Sequence, residues 1–224
     1  MNLARASGVI LAKELRTEFR SRELLGTTTV FVLLVIVLFS FTFNPTSSES
    51  RRFGPGLLWL AFLFAGSLML QSSFLREQAN DTLAALRLAP IDPFSILAGK
   101  MAANFLFLLL VELILLPVFA VLYNVAILPV LAPLLLVLAL GTTGLAATGT
   151  VFSAVAAQAR LRELLLPLLL LPVLAPVLIA STEATAGLLR DPSELSGVWL
   201  TFLACFDVVF LTAAWMVGEY LLEE

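Results

Sequence analysis

The sequence contains no histidine and only one cysteine, Cys205. A single cysteine cannot form an intrachain disulfide or a paired-thiol site. Without histidine the chain lacks the commonest metal ligand, the usual axial ligand of haem and the usual proton-transfer side chain near neutral pH. Methionine, tyrosine and the cysteine could ligate iron, but single residues of these kinds in apolar segments more often serve packing. We therefore expect no metal site and no haem bound directly by this chain.

Charge is also scarce, since only 13% of the 224 residues are Asp, Glu, Lys or Arg. That is about half the share found in ordinary soluble domains. Hydrophobic residues make up 60%, and mean hydropathy is +1.04. The apolar runs are continuous rather than alternating, which favours helices over a β-barrel. We predict an all-α, polytopic integral membrane protein with one transmembrane domain over 1–224.

Six apolar runs are long enough to cross the hydrocarbon core, which needs about 20 residues. The predicted spans are 24–43, 55–75, 101–123, 128–155, 164–181 and 198–222. The first is too long for a signal-peptide core and lacks a convincing cleavage site, so we expect it in the mature protein. Pro129 and Pro133 favour a tilt or break in the fourth span, and prolines of the fifth favour kinks.

Six spans place both termini on one side of the membrane, together with the segment 76–100 between the second and third spans. Ten of the thirteen basic residues fall on that side. They are Arg5, Lys13, Arg16, Arg20, Arg22, Arg76, Arg87, Lys100, Arg160 and Arg162. The other side has only Arg51, Arg52 and Arg190. Because basic loops stay in the cytoplasm, we predict that both termini and 76–100 are cytoplasmic.

The first 23 residues predict a cytoplasmic amphipathic helix. Leu11, Leu15 and Phe19 repeat every four residues, with basic residues on the opposing side. This pattern favours a helix lying in the membrane interface. The alternative is a plain cytoplasmic extension of the first span.

The segment 76–100 predicts a short helix that needs a packing partner. Asp81 can cap the helix start, and Pro90 must end it, which leaves about two turns. So short a helix is not stable alone in water, and Leu83 and Leu86 have no obvious cover within the chain. We interpret this as a docking surface for another protein. The alternative is a loop packed on the chain's own helix ends.

A second helix start follows at once, with Asp92 as N-cap and Pro93 at the first helical position. The run TLAALRLAPIDPFSILAGK (82–100) with its acidic, polar lead-in resembles the coupling helix of bacterial ABC-2-type export permeases. In that family this helix docks into the ATPase subunit. By this resemblance the residues that contact the ATPase are Glu77, Asp81, Thr82, Leu83, Leu86, Arg87 and Pro90.

Other segments resemble the CcmB family, the membrane subunit of the cytochrome c maturation ABC transporter. They are PGLLWLAFLFAG (55–66), VELILLPVFAVLYNV (111–125), RELLLPLLLLPVLAPVLIA (162–180) and FDVVFLTAAWMVGEYLLEE (206–224). The resemblance covers nearly the whole chain. It implies a bacterial inner-membrane protein with a CcmA-like ATPase and CcmC- and CcmD-like haem-handling partners. It also implies that ATP hydrolysis helps release a haem-loaded chaperone, so that haem reaches apocytochromes c outside the cytoplasm.

The chain lacks a phosphate-binding loop of its own, because Gly99-Lys100 is followed by methionine without the upstream glycine pattern. We therefore expect a non-enzymatic subunit whose complex uses ATP bound by a partner. We expect no nucleic acid partner. The alternatives are an ABC-2 permease for a lipid, drug or glycan, and a stand-alone proton-coupled carrier.

Two acids fall near mid-membrane, Glu112 in the third span and Asp207 in the sixth. A charged acid there costs about 2.5–3.5 kcal/mol on insertion scales. We predict that both face the bundle interior, where they are either protonated or bonded to polar groups such as Asn104, Thr142, Thr143 or Thr201. They form either a polar conduit or latch, or simple helix–helix contacts.

Two further features allow more than one structural role. The small-residue row Gly149, Ser153 and Ala157 of the fourth span permits close helix contact, either within the chain or in a homodimer. The extracytoplasmic segment 181–197 has room for a short interfacial helix.

Overall fold

The computed structural model describes residues 3–42, 48–79, 92–157, 162–190 and 194–223. In these ranges the chain forms α-helices and one short 3₁₀ turn, Leu128–Val130, and no strand. The helices are α1 (Leu3–Ser21), α2 (Glu23–Ser40), α3 (Ser48–Ala79), α4 (Pro93–Leu122), α5 (Leu131–Ala157), α6 (Arg162–Leu188) and α7 (Gly197–Glu223).

Six of these helices, α2 to α7, are long and apolar enough to cross a membrane. The predicted fold class is therefore confirmed. The third span starts earlier than predicted, because α4 runs without a break from Pro93 through Leu122. The predicted break in the fourth span takes the form of the 3₁₀ turn Leu128–Val130 ahead of α5.

Helix α5 lies at the centre of the bundle, where it packs against α3, α4, α6 and α7. By contrast, only 17% of the apolar windows of α2 and of α7 is buried, against 61% for α3. Helices α2 and α7 are thus the outer spans. Their apolar outward faces suit contact with lipid chains.

Close contact between α3 and α5 depends on small residues. A Cβ added at Gly149 would collide with the Leu70 side chain, and the Ser153 hydroxyl donates to the Leu70 carbonyl at 2.5 Å. A Cβ at Gly141 would likewise collide with the Trp59 ring. For Gly149 and Ser153 the small-residue row is therefore an internal contact. The side chain of Ala157 lies outside the described part.

The segment 181–197 differs from the prediction. Helix α6 continues through Ser181 and Thr185, both fully buried, to Leu188. It continues because these residues pack inside the bundle, where Trp59 Nε1 donates to Thr185 Oγ1 at 2.9 Å. The chain then turns back, and the Glu194 amide donates to the Gly187 carbonyl at 3.0 Å. Residues 191–193 are outside the described ranges.

A left-handed residue joins α1 to α2. Arg22 has φ 52°, and its amide donates to the Glu18 carbonyl at 2.6 Å. The Glu18 side chain is 1% exposed, and its Oε1 accepts from the Leu25 amide at 2.8 Å. A carboxylate at a helix start satisfies free amides and suits the helix dipole. Glu18 therefore caps α2, a role that sequence analysis missed because the capping residue lies in the preceding helix.

Candidate functional site

The predicted ATPase-docking surface falls almost wholly outside the described residues. Glu77 lies in the last turns of α3, and its side chain is not described. The other predicted docking residues, from Asp81 to Pro90, lie in the undescribed stretch 80–91. The structure does describe the two helix ends that flank this stretch, α3 ending at Ala79 and α4 beginning at Pro93. The docking surface thus stays a prediction.

The start of α4 forms as its sequence predicts. The Asp92 side chain accepts a hydrogen bond from the Phe94 amide at 2.8 Å, with proline at the first helical position. This cap fixes where α4 begins. It therefore also fixes where the stretch 80–91 ends.

Lys100 has a role that sequence analysis missed. We placed it in a cytoplasmic loop, but it lies in α4 with a side chain that is 0% exposed. Its Nζ contacts Glu14 Oε1 of α1 at 3.0 Å and donates to the Ser73 carbonyl of α3 at 2.7 Å. A buried cation needs such partners. Lys100 therefore joins three helices near both ends of the stretch 80–91.

Glu14 remains ionised in this contact. Burial is the largest influence and raises its pKa, but attraction and hydrogen bonding to Lys100 and Lys13 together outweigh it. The pKa of Glu14 is consequently lowered from 4.5. The Glu14–Lys100 contact is thus a true ion pair near neutral pH.

Helix α1 packs closely along α4. A Cβ at Gly99 would lie 2.7 Å from Ile10 Cβ and 2.8 Å from the Ser7 carbonyl oxygen. Leu11 and Leu15 pack against the apolar core of the protein. Two of the three residues of the predicted apolar stripe therefore face the protein rather than the bilayer. The third, Phe19, is 57% exposed.

A second polar contact lies one helical turn further along α4. Asn104 Nδ2 donates to Ser73 Oγ at 3.3 Å and to Thr150 Oγ1 of α5 at 2.9 Å. Thr150 in turn donates to the Ala146 carbonyl at 2.6 Å. Ser73 therefore contacts Lys100 through its carbonyl and Asn104 through its hydroxyl. We had expected Asn104 to bond to the membrane acids, and it does not.

Glu112 lies two turns beyond Asn104 on α4. It is 1% exposed, and its Oε2 accepts from Thr142 Oγ1 at 2.6 Å, one of the partners predicted for it. Among the described residues, Glu112 Oε1 has no hydrogen-bond partner. Thr142 lies two turns from Thr150 on α5. In each polar pair the α4 residue faces its α5 partner across two antiparallel helices, and the two pairs lie about two turns apart along this contact. By this register the apolar residues Leu108 and Ala146 lie between the pairs.

Asp207 approaches α5 from a different side. It is 6% exposed, and its Oδ1 lies 3.1 Å from the position of a Cβ at Gly144. Neither carboxylate oxygen has a hydrogen-bond partner in the described part of the chain. Thr142 and Gly144 differ by about 200° around a helix. The two membrane acids therefore lie at one level of α5 but on opposite sides of it.

Within the described ranges, no group of three or more His, Cys, Asp or Glu is placed to hold a metal ion. Cys205 is exposed on α7. The residues described so far offer buried hydrogen-bond contacts and an ion pair.

These features define a polytopic α-helical membrane protein with a polar contact line along its central helices. The family model described as CcmB protein matches residues 5–217. The chain belongs to the CcmB family, as its sequence segments predicted.

Relatives include heme exporter protein B of Pseudomonas aeruginosa, 31% identical over 213 residues, which covers 94% of each chain. Heme exporter protein B of Rhodobacter capsulatus is 32% identical over 160 residues, 71% of this chain and 73% of that protein. Heme exporter protein B of Paracoccus denitrificans is 31% identical over 160 residues, 71% of this chain and 73% of that protein.

Proposed function

We propose that this chain is the non-catalytic membrane subunit of an ABC transporter complex that acts in c-type cytochrome biogenesis. The observation that carries the proposal is the family match over residues 5–217, with relatives named heme exporter protein B. The protein spans the bacterial inner membrane with both termini in the cytoplasm. The excess of Lys and Arg on that side supports this orientation.

ATP is hydrolysed by a separate, CcmA-like subunit. It docks on the stretch 80–91, with Glu77 at the end of α3 contributing. In support, Lys100 ties α1, α3 and α4 together close to both ends of this stretch. A movement of the docked segment would thus be transmitted to three helices together. CcmC- and CcmD-like membrane proteins complete the complex, which handles haem without a ligand set on this chain.

The test is covalent haem attachment in the source organism. The gene is deleted, and membrane proteins are stained for covalently bound haem. The strain is then complemented with the intact chain, with Leu83→Asp plus Leu86→Asp, and with Ala84→Asp plus Ala85→Asp. By the predicted helical spacing, the last pair adds the same charge on the opposite side of the helix.

We expect c-type cytochromes to vanish in the deletion. The intact chain and the alanine variant should restore them, and the leucine variant should not. Restoration by the leucine variant would show that the docking surface is wrong although the function is right. Cytochromes that persist without a second gene copy would overturn the proposed function. In that case a permease for a lipid, drug or glycan becomes the better account, and the co-purifying ATPase would identify its system.

One observation favours a second candidate, a stand-alone proton-coupled carrier. Glu112 and Asp207 are buried in spans and keep carboxylate oxygens without partners among the described residues. Intramembrane acids of this kind often belong to proton pathways. This candidate requires proton flux in liposomes that contain the chain alone, abolished by Glu112→Gln or Asp207→Asn. Flux only with an ATPase subunit and ATP would exclude it.

A further inference from the structure

Helix α1 separates its charges in a way that the sequence does not reveal. It carries two acidic residues, Glu14 and Glu18, and both point into the protein. Glu14 is engaged by Lys100, and Glu18 caps α2. Its arginines Arg5, Arg16 and Arg20 are exposed, so the outer face of α1 carries positive charge. Lys13 is exposed as well, but its Nζ contacts Glu14 Oε1 at 3.2 Å.

The connection to α2 fixes the depth of this face. Helix α2 has 18 residues, about 27 Å at 1.5 Å per residue, just short of the roughly 30 Å hydrocarbon thickness. All of α2 is therefore needed to cross the membrane, and its first residue must lie at the membrane surface. Only Arg22 separates α1 from α2. The C-terminal end of α1 consequently lies at the level of the lipid headgroups.

Apolar side chains accompany the positive charges. Val9 is 58% exposed and shares a helix face with Arg5 and Arg16. Phe19 is 57% exposed at the edge of that face, between Arg16 and Arg20 in sequence. Exposed arginines and scattered apolar residues, on a helix whose C-terminal end lies at headgroup depth, match the composition of interfacial helices.

We infer that the outer face of α1 binds the headgroups of acidic phospholipids. Arginines at this depth meet phosphate groups directly, and the guanidinium fork suits phosphate oxygens. A soluble acidic partner would need to reach into the headgroup layer, whereas lipid is already there. The inference does not depend on cytochrome biogenesis, since it rests on α1 and α2 alone.

The test uses the purified full chain in a non-ionic detergent. Its thermal unfolding is followed while dioctanoyl phosphatidylglycerol or dioctanoyl phosphatidylcholine is added, at low and at high salt. Arg16→Gln plus Arg20→Gln is compared with Arg52→Gln plus Arg190→Gln. The second pair removes the same charge from exposed positions outside α1.

We expect phosphatidylglycerol, and not phosphatidylcholine, to raise the melting temperature of the intact chain, less so at high salt. The Arg16/Arg20 variant should bind phosphatidylglycerol roughly 25-fold more weakly, since each surface arginine contributes about fivefold. The control pair should bind like the intact chain. Equal binding by both variants would overturn the inference. So would unchanged lipid binding combined with loss of a co-purifying partner protein, which would assign the face to that protein.

Discussion

At the scale of single residues, one buried lysine holds three helices. Lys100 is 0% exposed and contacts Glu14 of α1 and the Ser73 carbonyl of α3. Removing one partner of a buried ion pair costs more than the pair contributes, because a buried charge is left without its counter-ion. The two partners are unequal here, since the Lys100 side chain is 0% exposed and the Glu14 side chain is 19% exposed.

Glu14→Gln should therefore be more harmful than Lys100→Met. The glutamine removes a carboxylate that contacts a fully buried ammonium at 3.0 Å, which we expect to cost up to about 3 kcal/mol. The methionine leaves an acid that keeps water and Lys13 nearby, and we expect a loss below about 1.5 kcal/mol. Thermal unfolding of the two purified variants in detergent measures both losses of stability relative to the intact chain. The reverse order would show that the Lys100 contact does not hold α1.

The same ion pair predicts a pH dependence. The pKa of Glu14 is lowered by folding, so its contribution to stability is present above the ordinary value of 4.5. That contribution is lost as pH falls through the lowered folded-state pKa. Melting temperatures of the intact chain and of Glu14→Gln should differ at pH 7 and converge in acid. A difference that stays constant down to the acid limit would argue against the pair.

Single-residue predictions succeeded where the signal is local. Asp92 and Pro93 stand next to the helix that they start, so the cap of α4 was readable from the sequence. Lys100 was missed because its partner lies in a distant part of the chain, and Glu18 because it caps a helix from within the preceding one. A lysine beside a glycine near a predicted loop gives no sign that Glu14, 86 residues earlier, will meet it.

At the scale of secondary-structure elements, the packing of α1 on α4 is the least expected contact. The four-residue repeat correctly predicted an amphipathic helix, but not that Leu11 and Leu15 pack on the protein. The spacing of apolar residues shows which side of a helix is apolar, but it does not show whether protein or lipid covers that side. Gly99 supplies the missing information, because only a residue without a side chain allows Ile10 so close.

Gly99→Ala should therefore loosen α1. The added Cβ meets the backbone carbonyl of Ser7 at 2.8 Å, which cannot move unless the whole helix moves. We expect a loss of about 1–3 kcal/mol, as for other overpacked sites. Gly26→Ala is the matched control, since no described atom lies within 4 Å of its added Cβ. It should be neutral or stabilising by up to about 1 kcal/mol. Limited proteolysis of the N-terminal region provides a second readout.

At the scale of the whole molecule, number and placement of the spans were predictable because apolar run length is a direct requirement of the bilayer. The residues at which the helices begin and end were less predictable. Helix α4 begins eight residues before the predicted third span, at Pro93 instead of 101, and α6 passes Ser181. Polar residues such as Lys100 and Thr185 lower the local hydropathy, although the bundle buries them with partners.

The proposed orientation gives a labelling prediction. In a Cys205→Ser background, Arg190→Cys should react with a membrane-impermeant maleimide in spheroplasts. Arg16→Cys should react only after the membrane is permeabilised. Both positions are exposed, so access to reagent depends on the side of the membrane. The opposite pattern would invert the topology, and reaction of both in intact spheroplasts would contradict an even number of spans.

The central position of α5 also has a consequence for synthesis. The chain emerges N-terminus first, so α3 and α4 enter the membrane before the helix that satisfies them exists. Until residues 142 and 150 are made, Glu112 lacks the Thr142 hydroxyl and Asn104 has the Ser73 hydroxyl but not that of Thr150. A nascent chain stopped before α5 thus carries exposed polar groups in lipid, the kind of defect that membrane proteases detect. We therefore expect α4 to be stably packed only once the fourth span has entered the membrane.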